Sequence, residues 1–180
     1  PKILKKHYAI RPYSNDSIKL EGVMDIKLSK LTKLIQPLLS FFGALVPYEG
    51  KNIPTIVYAK SDPNKDSFIF ERHFKISKNN TYISHSAFLK LKDNEVLEMM
   101  RFGIGWISYY SYKNKKIILS HKGYAWRIFK LTIPIPLTFI LGKGYAEEKE
   151  VDDNQFSMQM KITHPLFGET FKYSGLFKII

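Results

Sequence analysis

The chain has 180 residues, no cysteine, a formal charge of +12 and a pI near 9.7. That length suits one domain, 1–180, and the lack of cysteine excludes disulfides, thiolate catalysis and cysteine-ligated metal centres, which fits the cytoplasm. Arginine occurs only at 11, 72, 101 and 127 and the lysines are scattered, so nucleic acid is excluded; the charge reads first as a lysine-rich solvated surface, with peripheral attraction to an anionic membrane surface as the alternative.

Residues 1–16 read as a polar leader without the apolar stretch of a signal peptide. Ser17–Leu28 alternates Ile18, Leu20, Met24, Ile26 and Leu28 against Lys19, Glu21, Asp25 and Lys27, the pattern of a strand. Ser29 then reads as an N-cap, and the spacing predicts a helix over 29–46 that lies across a barrel opening. Leu34, Leu38 and Phe42 should face inward and Lys30 and Lys33 outward, with Pro37 kinking or restarting the helix and Pro47 closing it. The longest apolar runs, Leu38–Pro47 and Ile128–Leu141, fall short of a membrane span of about 20 residues.

From Ile53 the chain becomes short alternating runs broken by turn residues. The predicted strands are Ile53–Lys60, Ser67–Ile76, Thr81–Leu91, Glu95–Tyr112, Lys116–Arg127, Gly144–Val151, Gln155–Thr163 and Glu169–Ile180. Gly103 and Gly105 mark a bend in the long central run. With the first strand this makes about nine, enough for an antiparallel closed or nearly closed β-barrel, its core over 53–180, in a mainly β fold.

The segments FERHF (Phe70–Phe74), YISHS (Tyr82–Ser86), EMMRFGIG (Glu98–Gly105), GYAWRIFKLTIPIPL (Gly123–Leu137), AEE (Ala146–Glu148) and FSMQMKITHPLFGETFKYSG (Phe156–Gly175) occur in that order. This set resembles the bacterial family catalogued as domain of unknown function 4166. The resemblance implies a module found in other proteins behind a dehydrogenase-like domain, hence a dehydrogenase-like partner in trans, and it supplies no catalytic roles. GVMDIK and GIGWIS lack the glycine spacing of a phosphate loop, so no cofactor is expected.

The candidate site comes from polar residues on apolar faces. Arg72 shares a face with Phe68, Phe70 and Phe74, His85 with Ile83, Ala87 and Leu89, Glu98 with Val96, Met100 and Phe102, and His121 with Ile117, Leu119 and Ala125. A lone buried guanidinium costs several kcal/mol, so Arg72 needs an anion, either Glu98 or a ligand. No histidine pair marks a metal site and G-x-S-x-G is absent, so neither a metal nor a catalytic nucleophile is assigned. The leading reading is non-enzymatic binding of a hydrophobic, lipid-like anion inside the barrel by Arg72, His85, Glu98, His121, Phe70, Phe74, Met100 and Phe102. One alternative is an enzyme using the Arg72, His85, Glu98 and His121 cluster on a hydrophobic substrate. Another is a membrane-surface or protein-interaction module with a dry core.

Overall fold

Leu20, Met24, Ile26 and Leu28 are buried along Ser17–Leu28, so the first alternation becomes strand β1 with the predicted bounds. The computed structural model describes residues 2–180. Before β1 stands helix α1 (Lys2–His7), and after it helix α2 (Lys30–Phe41). Then come β2 (Gly50–Ser61), β3 (Ser67–Ser77), β4 (Asn80–Lys90), β5 (Glu95–Met99), β6 (Ile104–Lys113), β7 (Lys116–Ile128), β8 (Leu131–Ile135), α3 (Thr138–Leu141), β9 (Lys143–Glu150), β10 (Gln155–His164) and β11 (Gly168–Ile179).

All pairings are antiparallel. They run β6-β5-β4-β3-β2-β1-β11-β10-β9-β7, and β6 also pairs with β7, which closes the barrel and removes free edges from this ring. The strand β8 stands outside the ring, paired only with the second half of β7. The antiparallel order sends α2, the turn at 77–80, the turn at 100–103, β8 with α3 and the turn at 165–167 to one end of the barrel. Helix α1 and the turns at 62–66, 91–94, 114–115 and 151–154 lie at the other.

The sequence pattern and the structure differ in four of the elements and their bounds. The segment read as a polar leader contains α1, whose Ile3 and Leu4 are buried in the main core, so its apolar minority closes the second barrel end. Helix α2 starts at its predicted cap, where Ser29 Oγ accepts from the Thr32 amide at 3.1 Å, and it passes through Pro37. It stops at Phe41 because Gly43 adopts φ 66°, a left-handed conformation that ends helices. Its fully buried residues are Thr32 and Leu39; the expected Leu38 and Phe42 line the interior together with Ile35, whereas Leu34 faces solvent. The single run Glu95–Tyr112 is two strands, because Phe102 and Gly103 at φ 59° and 77° reverse the chain between β5 and β6. This split yields ten barrel strands. The proline-bearing segment after β7 supplies β8 and α3, and Pro134 is tolerated because β8 is an edge strand.

Candidate functional site

The barrel encloses two chambers. The larger, about 510 Å³, lies toward α2 and α3 and is walled by apolar side chains such as Ile35, Leu39, Phe74, Met100 and Phe171. The smaller, about 100 Å³, lies toward α1 and is lined by Tyr8, Phe68, Phe70, Phe88 and Phe156 among others. Arg72, Glu98, Trp106, Met160 and Tyr173 line both and form the layer between them. The alternation in β3 therefore runs through the whole interior: Phe68 and Phe70 in the smaller chamber, Arg72 at the divider, Phe74 in the larger. A drug-sized ligand fills about 300–1,000 Å³, so only the larger chamber has room for one, and the smaller can hold a few waters.

Arg72 and Glu98 sit on β3 and β5 and flank β4, so a side chain of β4 stands between them. That side chain is Ser86. Arg72 Nη2 donates to Glu98 Oε1 at 3.1 Å and Nη1 donates to Ser86 Oγ at 2.7 Å, while Ser86 Oγ donates to the same Glu98 oxygen at 2.8 Å. Side-chain exposures of 12% and 22% make this a largely buried ion pair. The guanidinium also lies 5.2 Å from the Phe70 ring centroid, a cation–π contact. Among the described residues Glu98 Oε2 has no hydrogen-bond partner, and neither does the Tyr173 hydroxyl in the same layer. Burial pushes that phenol up to about 12, so it is a neutral donor at physiological pH. The layer thus presents donors from Arg72 and Tyr173 and an acceptor from Glu98, with its two full charges already matched.

His121 is held one layer away. Trp106 Nε1 and the Gly144 amide donate to its Nδ1 at 2.9 and 3.2 Å, which leaves the ring proton on Nε2 to donate to Thr138 Oγ1 at 2.9 Å. Burial, with Lys143 adding repulsion, lowers its pKa, so the ring is neutral and ties the first residue of α3 to β7. This packing needs glycine at 144, because a Cβ there would come within 2.8 Å of the Trp106 ring. A bulge after Ile107 and Ser108 inserts an extra residue into β7. Beyond it Tyr124 points into the large chamber and Ala125 packs outside with Leu97 and Ile107, opposite to the expected position of Ala125.

The expected cluster is thus only partly assembled. Arg72 and Glu98 meet, and Phe74 and Met100 line the larger chamber while Phe70 lines the smaller. The side chain of His85 does not join them: it is 60% exposed and lies 3.7 Å from Glu71 on the outer face. The face of β4 is reversed, since Ser84 and Ser86 stand opposite Arg72 and Phe70 and share their side of the sheet. Phe102 is 62% exposed at the rim, stacked on Phe41 at 5.1 Å. No hydrogen bond or ion pair links either histidine to Glu98 among the described residues, so a histidine–glutamate acid–base pair is not formed. Among these residues no group of three His, Asp or Glu side chains could hold a metal ion.

Sequence patterning missed Ser86, Trp106, Tyr173 and Glu148. Glu148 faces the smaller chamber, where its Oε2 accepts from Tyr8 Oη at 2.9 Å and lies 3.6 Å from His7 Nε2. Alternation in Gly144–Val151 would have placed Glu148 and Glu147 on opposite faces, as they are, but not which one faced in.

The profile of the family described as "Domain of unknown function (DUF4166)" matches residues 1–177, and the chain belongs to that family. No curated protein matches the chain. Among solved structures, a candidate thioesterase II from Thermobifida fusca superposes over 91% of this chain and 78% of its own with a TM-score of 0.28 and 6% identity. The dehydratase domain of the polyketide PpsC from Mycobacterium tuberculosis superposes over 98% and 79% with a TM-score of 0.22 and 4% identity. TM-scores this low do not establish a shared fold. No helix among the described residues is long and apolar enough to cross a membrane.

Proposed function

We propose that this DUF4166 member is a non-enzymatic binding or carrier module that takes one hydrophobic, lipid-like small molecule into the larger chamber. The observation that carries the reading is the apolar cavity of about 510 Å³ that ends on a polar layer instead of on more core. An interior meant only to support the fold would be filled to crystal-like density. Covering about 300 Å² of ligand carbon contributes on the order of 7 kcal/mol before association costs, which supports micromolar binding.

The residue pattern alone suggests a ligand anionic at one end, and the ion pair argues against that charge. Arg72 already faces Glu98 at 3.1 Å, so the layer is near neutral, and a second carboxylate would meet one attractive and one repulsive charge in a poorly solvated site. A neutral hydroxyl or amide suits it better, accepting from Arg72 or Tyr173 and donating to the unpartnered Glu98 Oε2. Titration calorimetry with decanol, decanamide and decanoate tests this. One-site micromolar binding of decanol, with a negative heat-capacity change and decanoate no tighter, is expected. Binding of none of the three would overturn the cavity reading; tighter binding of decanoate would restore the anionic end and overturn only the neutral one.

A further inference from the structure

The barrel's two ends differ in what they expose. At the α2 end, four separate connections each carry a nearly free apolar side chain: Leu34 on α2 at 78%, Phe129 after β7 at 96%, Phe139 on α3 at 80% and Leu166 after β10 at 82%. Phe41, Phe102, Trp126 and Leu131 are exposed between them. Lys30, Lys78, Arg101, Lys130 and Lys143 surround these tips and none has an acidic partner among the described residues. The acidic residues of these connections are Glu49, paired with Lys33 at 2.6 Å, and Glu169 at the start of β11. The turns of the opposite end carry Asp62, Asp66, Asp93, Asp152 and Asp153 interspersed with Lys65, Lys92 and Lys115, with Val151 their exposed large apolar residue and Tyr13 and Ile180 exposed beside them.

We infer that the α2 end is a membrane-docking face, which seats its lysines and arginines on anionic phospholipid head groups and presses Leu34, Phe129, Phe139 and Leu166 into the interface. An apolar group ringed by unpaired cations is complementary to an anionic bilayer surface. The shape favours a bilayer over an acidic protein. The tips stand on different segments of the chain, each beside a further exposed apolar residue, so a folded partner would need a matching surface for each, while a fluid interface receives them all. The same α2 and α3 that expose these side chains wall the larger chamber with Ile35, Leu39 and Leu141 on their inner sides. Docking here sets the chamber against the lipid, whatever molecule the chamber holds.

Co-sedimentation of the full chain with phosphatidylcholine vesicles, with and without about 30 mol% phosphatidylglycerol, tests the face. Binding should require phosphatidylglycerol and fall on raising salt from about 0.05 to about 0.5 M. Two charge-matched double variants separate this face from general basicity. Lys130→Glu with Lys143→Glu should weaken binding by at least about tenfold, and Lys113→Glu with Lys115→Glu, at the other end, by much less. Phe129→Ser with Phe139→Ser, both fully exposed positions that leave the core intact, should also lose about tenfold. The inference is overturned if the wild-type chain ignores anionic vesicles, if the two charge variants weaken binding equally, or if the phenylalanine variant binds like wild type with an unchanged circular dichroism spectrum.

Discussion

Replacing Arg72 with methionine leaves the Glu98 carboxylate with only Ser86 as a partner, in a layer otherwise made of Trp106, Met160 and Tyr173. Breaking a buried ion pair from one side costs about 3–5 kcal/mol, and the lower end applies here because both side chains border cavities that water can enter. Arg72→Met and Glu98→Leu should therefore each destabilise by about 3 kcal/mol, while the double variant, which leaves no unmatched charge, should lose about 1 kcal/mol. For a domain of this size 1 kcal/mol corresponds to roughly 2–4 °C, so each single variant should melt about 6–12 °C lower and the double variant only a few degrees lower. Urea unfolding of the four proteins at pH 7 gives the coupling directly. If the two losses add, Arg72 and Glu98 do not depend on one another and the layer between the chambers is not an ion-pair layer.

Three further outcomes test the surroundings. Gly144→Ala, which sets a Cβ 2.8 Å from the Trp106 ring, should cost about 1–3 kcal/mol and alter the near-ultraviolet tryptophan spectrum; an unchanged melt and spectrum would refute the close packing. Leu4→Ala should cost about 2–5 kcal/mol, because Leu4 is buried in the main core, and a surface-like loss within about 0.5 kcal/mol would show that α1 does not close the barrel. His121 has a folded pKa below its ordinary 6.5, so the unfolded chain binds the proton more readily: its contribution to stability is complete above pH 6.5 and is lost as pH falls below it. A plot of melting temperature against pH should be flatter below pH 6.5 in His121→Gln, and parallel plots would contradict the neutral, bonded ring.

Much of the interior was legible in residue alternation, because a period of two on β1 and β3 puts each side chain on a definite face. The inward faces of Phe74, Arg72 and Glu98 follow from that alone; that Glu98 and not a ligand meets Arg72 does not. β4 defeated the same reasoning. Its Ile83, Ala87 and Leu89 form the more apolar series, yet Ser84 and Ser86 face inward because small polar side chains leave room for Arg72 and bond to it. In β7 the phase is right up to His121 and then shifts by one at the bulge, which no local composition announces. The α2 end was legible only in part: of the residues read as inward, Leu38 and Phe42 line the chamber and Leu34 does not, and the spacing is the same whether the helix covers a filled interior or a cavity. The chambers themselves arise from ten strands closing on side chains too few to fill them at that end, a property of the closed ring and not of any segment.

A crystal structure of the protein grown with decanol tests the central claim most directly. The alkyl chain should lie between α2 and Phe74 in the larger chamber, with its hydroxyl within hydrogen-bonding distance of Arg72, Glu98 or Tyr173. A chamber collapsed onto its own side chains, or decanol found only outside the barrel, would contradict the account.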